Sequence, residues 1–115
     1  MTRRSLILAG GGLKIAYQAG VLQVWLDEAG IEFDHADAVS AATFNLAMWC
    51  QGMTWRQIAD RWRAFRPLRA IAPNLRRPLV SLLTYRRIRR NVFPAFGLDW
   101  AAIRATARPR SGFTP

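Results

Sequence analysis

Two short apolar runs, each followed at once by a turn of small residues, most constrain the fold of this chain. Residues 5–9 lead into a glycine triplet, and the apolar pair Ala38-Val39, which ends a short strand predicted over residues 36–39, leads into Ser40. A short, continuously apolar run is typical of a strand buried on both faces of a parallel sheet. Because a segment with helical patterning follows each turn, the chain is predicted to begin as a strand–helix–strand–helix unit of an α/β fold.

The first turn is predicted to bind an anion through its backbone. It reads Gly10-Gly11-Gly12-Leu13-Lys14. Glycine permits positive φ and lets bare N–H groups approach a ligand, and the helix that follows presents the positive end of its dipole. We expect these five residues to form an oxyanion hole.

The second turn places Ser40 between an apolar strand and a helix predicted over residues 43–49. A serine at a strand-to-helix corner is the arrangement of a nucleophile elbow. The N–H of Ala41, at the start of that helix, would point to the position where an oxyanion forms. Ser40 is therefore the candidate nucleophile of an acyl-transfer reaction, and Ala41 is a further candidate for the oxyanion hole.

Together the two turns resemble the opening of a patatin-like phospholipase domain. The resemblance rests on residues 10–14, on the segment Ala-Tyr-Gln-Ala-Gly-Val-Leu at 16–22, and on Ser40 followed five positions later by Asn45. It implies a three-layer α/β/α fold around a parallel sheet. It also implies hydrolysis of a phospholipid or another acyl-ester lipid by a serine paired with an aspartate, without a cofactor or a metal.

The sequence departs from the pattern of this family in two respects. Ala38 and Ala42 stand two residues before and after the serine, where the family usually has glycine, and Ile15 replaces another glycine. The family aspartate belongs to a downstream Asp-Gly pair, and this sequence contains no such pair. His35, the only histidine, is a weak alternative as a general base. We therefore expect weak activity, or none, from this chain alone.

The resemblance predicts a partial patatin-like domain over residues 1–106. The tail, residues 107–115, is rich in Arg, Pro, Ser and Gly, and it is predicted to be disordered or out of frame. Further helices are predicted from Thr54 to about residue 65, over 79–91 and over 99–106, so the second half is helical. Patatin-like domains are longer than 115 residues, and we expect the fold to be incomplete.

A strong positive charge suggests a second function. The formal net charge is +10, concentrated between residues 56 and 90. Four arginines, Arg86, Arg87, Arg89 and Arg90, flank an isoleucine on one predicted helix. Basic amphipathic helices with aromatic neighbours bind anionic lipid headgroups, which makes a non-catalytic membrane-binding module the alternative hypothesis. A solvated basic face without a function is the simplest explanation of the same pattern.

Other features limit the compartment and the partners. The single cysteine, Cys50, allows no internal disulfide and favours a reducing compartment, which predicts a cytoplasmic protein. Peripheral association with a membrane would come from the arginine-rich segment. Apart from the first strand, the longest apolar stretch, residues 39–49, is shorter than the ~20 residues of a membrane-spanning helix. The sequence does not predict an oligomeric state.

Nucleotide and nucleic-acid binding are weaker alternatives. A dinucleotide fold requires G-x-G-x-x-G, and Ile15 stands at the third glycine, although Glu32 and Asp34 lie at a suitable distance for a ribose contact. A nucleotide-triphosphatase loop requires Gly-Lys followed by Ser or Thr, which is absent. The charge alone would suit nucleic acid, but no helix-turn-helix or aromatic-basic strand signature accompanies it.

Overall fold

A parallel β-sheet forms the centre of the protein. The computed structural model describes residues 2–66, 88–105 and 110–114. Strands β1 (Ser5–Leu8), β2 (His35–Val39) and β3 (Arg110–Thr114) lie in the order β1-β2-β3, and both pairs are parallel. Leu6 is paired with Ala36 and Leu8 with Ala38. The predicted α/β fold is thus observed.

Helices follow the first two strands, as predicted. The segment after β1 begins as a 3-10 turn, continues as α1 and ends as a π-helical stretch, where Gly30 follows with a φ of 65°. A second π-helical stretch leads directly into α4. The bounds are Gly12–Ile15 for the 3-10 turn, Ala16–Leu22 for α1, Gln23–Glu28 for the first π stretch, Ala42–Cys50 for α2, Trp55–Ala64 for α3, Ile88–Val92 for the second π stretch, Phe93–Phe96 for α4 and Trp100–Arg104 for α5.

Capping residues set where α3 and α5 begin. Thr54 accepts a hydrogen bond from the Gln57 N–H, and the Gln57 side chain accepts one from the Thr54 N–H, which completes the predicted capping box. Asp99 Oδ1 accepts from the N–H groups of Ala101 and Ala102 at 3.0 and 3.1 Å. Both predicted helix starts are therefore confirmed.

The described helices bury one face of the sheet. Leu6, Leu8, Ala36 and Ala38 are buried against them, and every residue of α2 from Asn45 to Cys50 is buried as well. The opposite face is open, since Ile7 is 71% exposed. The expectation that the first strand is buried on both faces is wrong, because alternate residues of β1 point to opposite sides and only one side is covered.

The C-terminal segment differs from its prediction. The sequence predicts a disordered or out-of-frame tail over residues 107–115, but Arg110–Thr114 form β3 in register with β2. The physical reason is that β2 would otherwise present unpaired N–H and C=O groups at the sheet edge, and an extended segment satisfies them. Of the helix predicted over 79–91, only the part from Ile88 onward belongs to the described residues, and that part is helical.

One further finding concerns membranes. Among the helices in the described part of the chain, none combines the length and the apolar character needed to cross a bilayer.

Candidate active site

Ser40 lies at a sharp corner between β2 and α2. Its φ is 55°, and it is the only non-glycine residue with positive φ in the described part of the chain. A left-handed conformation costs an L-residue about 1–2 kcal/mol, so the surrounding structure must hold it. Strained serines at strand-to-helix corners are typical of nucleophile elbows, because the strain leaves Oγ accessible. The Ser40 side chain is exposed, as this role requires.

The first turn of α2 holds the corner in place. Thr43 donates two hydrogen bonds to the Ser40 carbonyl oxygen, one from N–H at 3.0 Å and one from Oγ1 at 2.7 Å. Ala38 and Ala42, which stand where the family has glycine, are both fully buried. Their methyl groups therefore belong to the packed interior and are compatible with the corner.

The glycine turn and the serine corner meet in space. A Cβ built on Gly10 would lie 3.1 Å from Ser40 Cβ and 3.3 Å from the Val39 carbonyl oxygen, so only glycine fits without displacement. Gly12 adopts a φ of 57°, which also favours glycine. Ile15, by contrast, has a φ of −64° and is buried, so the turn requires no glycine there. Two motifs separated by 30 residues in sequence are thus adjacent.

Each of the two turns is followed by a helical segment whose first backbone N–H groups are candidates for the oxyanion hole. The first N–H groups of a helical segment have no partner within that segment, which applies to Gly12 and Leu13 in the 3-10 turn, to Ala41 at the N-cap of α2, and to Ala42, the first residue of α2. The N–H of Lys14 is different, because it donates to the Gly11 carbonyl at 3.2 Å. The side chains of Leu13 and Lys14 are exposed.

No carboxylate among the described residues is hydrogen-bonded to Ser40. Asp27 accepts from the Arg56 N–H, Asp34 from the Arg4 N–H, and Asp60 pairs with Arg63. Asp99 caps α5, as stated above. The acid partner implied by the family is therefore not found at the corner.

His35 is not positioned as a base for Ser40. It lies at the start of β2, five residues before the corner, which corresponds to roughly 16 Å along an extended strand. Its Nδ1 is 3.5 Å from Oδ2 of Asp37 on the open face of the sheet. A general base must reach within about 3.2 Å of the serine oxygen, so this alternative is not supported.

The predicted basic surface is described only in part. Arg89 and Arg90 are exposed, whereas Arg86 and Arg87 lie outside the described residues. Phe93 follows Arg89 by one helical turn, and its ring is 5.5 Å from that of Trp100, which is itself 52% exposed. Two exposed arginines therefore precede Phe93 in sequence, and the ring of an exposed tryptophan contacts it.

Two further residues contact the candidate site through hydrogen bonds that the sequence motifs do not predict. Gln18 donates from Nε2 to the Ala9 carbonyl at 2.6 Å, immediately before the glycine turn. Trp62 donates from Nε1 to Oδ1 of the buried Asn45 at 2.6 Å. A clue is present in the sequence, since a lone amide inside an apolar helix such as α2 requires buried hydrogen-bond partners.

A protein-family model matches most of the chain. A family model described as patatin-like phospholipase matches residues 6–109, which include both turns. Neither the search of curated proteins nor the search of solved structures gives a significant match.

Proposed function

Because the chain belongs to the patatin-like phospholipase family, we propose that it hydrolyses lipid acyl esters with Ser40 as the nucleophile. The family acts on lipids, and the substrate is accordingly a phospholipid or another acyl-ester lipid. Gly10, Gly11, Gly12, Leu13 and Lys14, together with Ala41, form the oxyanion hole in this proposal. Neither a cofactor nor a metal takes part.

One observation carries the proposal, namely the close approach of the glycine turn to Ser40. A Cβ built on Gly10 would lie 3.1 Å from Ser40 Cβ and 3.3 Å from the Val39 carbonyl oxygen, so the glycine turn packs against the corner without room for a side chain between them. A substrate carbonyl bound to Ser40 Oγ would then lie next to both sets of helix-start N–H groups. Such donors stabilise a tetrahedral oxyanion because they are fixed before the charge develops. Among the N–H groups of the turn, we favour Gly12 and Leu13 as donors over Lys14, whose N–H is already bonded.

The proposed reaction has two steps. Ser40 Oγ adds to the ester carbonyl carbon and gives its proton to a base, and collapse of the tetrahedral anion breaks the C–O bond. The alcohol leaves with that proton, and an acyl-serine remains. Water then attacks the acyl-serine, releases the fatty acid and returns a proton to Ser40 Oγ. Since no carboxylate in the described part of the chain is hydrogen-bonded to Ser40, we propose weak or no turnover by this chain alone.

The finer fold is also part of the proposal. We infer that the sheet belongs to a three-layer α/β/α arrangement that is incomplete in this chain. The open face that carries Ile7 and Val39 supports this inference, because apolar residues on that side would be buried by a second helical layer.

Covalent labelling tests the role of Ser40. The folded chain is incubated with a fluorophosphonate probe, beside Ser40→Ala and the control Ser5→Ala, which removes an exposed serine of β1. We expect the wild type and Ser5→Ala to be labelled at one site and Ser40→Ala not to be labelled. An unlabelled wild type whose circular dichroism shows a folded chain would overturn the proposal, as would equal labelling of Ser40→Ala.

Binding to anionic membranes is the second candidate function. It is favoured by Arg89 and Arg90, exposed one turn before Phe93, and by the exposed indole of Trp100. Arginines attract anionic headgroups, and tryptophan prefers the interface between headgroups and acyl chains. In this proposal the surface would hold a cytoplasmic protein at the membrane that contains its substrate, and Arg86 and Arg87, which lie outside the described residues, stay sequence-based candidates for the same role.

Vesicle binding tests this second function. We expect Arg89→Gln/Arg90→Gln to bind phosphatidylserine vesicles roughly 10- to 30-fold more weakly, from about 1 kcal/mol per arginine. The control Arg3→Gln/Arg4→Gln changes the charge equally at the other end of the chain and is expected to bind like the wild type. Equal losses of vesicle affinity in the two double variants would show a non-specific effect of net charge. That result would exclude the surface around Arg89 and Arg90 as the membrane-binding site.

A further inference from the structure

Asn45 is the one fully buried polar side chain in the described part of the chain, and it makes three hydrogen bonds. Its Oδ1 accepts from Trp62 Nε1 at 2.6 Å. Its Nδ2 donates to the Ile15 carbonyl at 3.2 Å and to Gln18 Oε1 at 3.3 Å. A buried amide with every contact satisfied is rigid, since breaking any of these bonds leaves a buried polar group unpaired.

Gln18 extends this network to the other side of the glycine turn. Its Nε2 donates to the Ala9 carbonyl at 2.6 Å. Ala9 immediately precedes the turn and Ile15 immediately follows it, so the two carbonyls that bound the turn are each held by a side-chain amide. We call the pair Gln18 and Asn45 the amide bracket.

The ends of the network determine the orientation of both amides. The indole N–H of Trp62 can only donate, so the group that faces it must be Asn45 Oδ1. Asn45 Nδ2 then faces the Ile15 carbonyl and Gln18 Oε1, both of which accept. Gln18 Nε2 must in turn face the Ala9 carbonyl. Reversing either amide would place a donor against a donor or an acceptor against an acceptor.

We propose that the amide bracket is a positioning device that sets the oxyanion turn relative to the nucleophile, an inference that rests on the proposed function of Ser40. The peptide unit is planar, so holding the Ala9 carbonyl also fixes the direction of the Gly10 N–H. Asn45 lies on α2, the helix whose first turn carries the corner at Ser40. The bracket therefore ties the glycine turn to the same rigid element that presents the serine oxygen.

Fixing the glycine turn relative to α2 affects the reaction rate, because small displacements of the oxyanion donors slow the reaction. An oxyanion donor must lie about 2.7–3.1 Å from the developing charge, and a shift of 1 Å costs about 100-fold in rate. Glycine-rich turns do not hold such a geometry by themselves, because glycine has few steric restrictions. Gln18 and Asn45 touch neither the serine nor the substrate carbonyl in this arrangement, and they act through the turn.

Substitution of Gln18 tests the inference with a matched control. Gln18→Met keeps the length of the side chain and removes both hydrogen bonds. Gln23→Met makes the same change on the same helical segment, where the amide donates only to Glu28 at 3.3 Å. We expect the fluorophosphonate labelling rate of Gln18→Met to fall about 10- to 100-fold, and that of Gln23→Met to stay at the wild-type value.

Hydrogen exchange of the Lys14 amide gives a readout that does not depend on activity. This N–H is protected by its bond to the Gly11 carbonyl inside the turn. We expect it to exchange about tenfold faster in Gln18→Met, the change that corresponds to the loss of one hydrogen bond. Trp62→Phe, which removes the donor that orients Asn45, is expected to act in the same direction on both readouts.

The outcomes test the positioning role of the amide bracket separately from the proposed role of Ser40. Equal Lys14 exchange in Gln18→Met and Gln23→Met would overturn the bracket, whatever the labelling shows. Faster exchange in Gln18→Met with an unchanged labelling rate would show that the turn is held but does not serve Ser40, and this too overturns the inference. A wild-type chain that is not labelled at Ser40 would reject the proposed function, and the Lys14 exchange would still test whether the bracket holds the turn.

Discussion

At the scale of single residues, the corner at Ser40 depends on two conformations that its neighbours enforce. Ser40 has a φ of 55°, which glycine would adopt at lower cost. Gly10 lies so close to it that a side chain at that position fits only if its neighbours move by a few tenths of an ångström. The two alanines where the family has glycine create no such conflict, since both are buried without strain in their φ angles. The close approach, rather than a general need for glycine, is what constrains this corner.

Gly10→Ala is therefore expected to reduce reactivity far more than stability. The new methyl group would meet Ser40 Cβ and the Val39 carbonyl, so the turn must move away from the corner by a few tenths of an ångström or more. We expect fluorophosphonate labelling at Ser40 to fall by at least about tenfold.

Gly20→Ala is the control for that substitution. Nothing lies within 4 Å of a Cβ at Gly20, which is in the middle of α1. The labelling rate should stay at the wild-type value, and thermal unfolding should show a gain in stability of up to about 1 kcal/mol from helix propensity. If Gly10→Ala were labelled as fast as Gly20→Ala, the contact with Ser40 would not constrain the turn.

At the scale of elements, helix starts are determined locally and the contacts between elements are not. The capping box of α3 follows from Thr54 and Gln57 alone, and the first two strands follow from their apolar runs. Each of these features was predicted from sequence and is confirmed.

Thr54→Ala is expected to destabilise the protein by about 1 kcal/mol. It removes the hydroxyl that accepts from the Gln57 N–H at 3.2 Å and leaves an N-terminal N–H of α3 without its partner. Urea unfolding measures the change. Arg63→Ala, on the exposed face of the same helix, removes only a surface pair with Asp60 and should stay within about 0.5 kcal/mol of the wild type. Equal effects of the two substitutions would mean that the cap contributes nothing.

The parts of the site that sequence does not predict are its long-range contacts. The glycine and serine motifs predict the patatin-like family, which the family model confirms. The bonds of Asn45 to Gln18 and Trp62 depend on how α1, α2 and α3 pack, and no local pattern contains that information. The pairing of β3 with β2 is unpredictable for a similar reason, because residues 110–114 resemble a loop until an open strand edge lies beside them.

At the scale of the whole molecule, the sheet has one covered face and one open face. Leu8 is 4% exposed and Ile7 is 71% exposed, although they are neighbours on the same strand. Only the covered side therefore contributes apolar burial to stability. An open apolar sheet face also favours association between molecules.

Threonine at these two neighbouring positions is expected to affect stability and aggregation differently. Leu8→Thr should lower the free energy of unfolding by about 2–5 kcal/mol, as large-to-small changes in a core do. Ile7→Thr should change it by less than about 0.5 kcal/mol and should delay aggregation, because it removes exposed apolar area. Thermal unfolding and light scattering measure the two effects. A destabilisation by Ile7→Thr as large as that by Leu8→Thr would show that the open face is covered in solution.

The order of the elements along the chain has a consequence for synthesis. The serine corner, the glycine turn and the amide bracket all lie before residue 63, whereas β3 begins at Arg110. At about 5–20 residues per second, the ribosome completes the segment that forms the site several seconds before it makes β3. During that interval β2 has no partner along the edge that β3 later occupies, so this edge is the part of the site's sheet that is completed last.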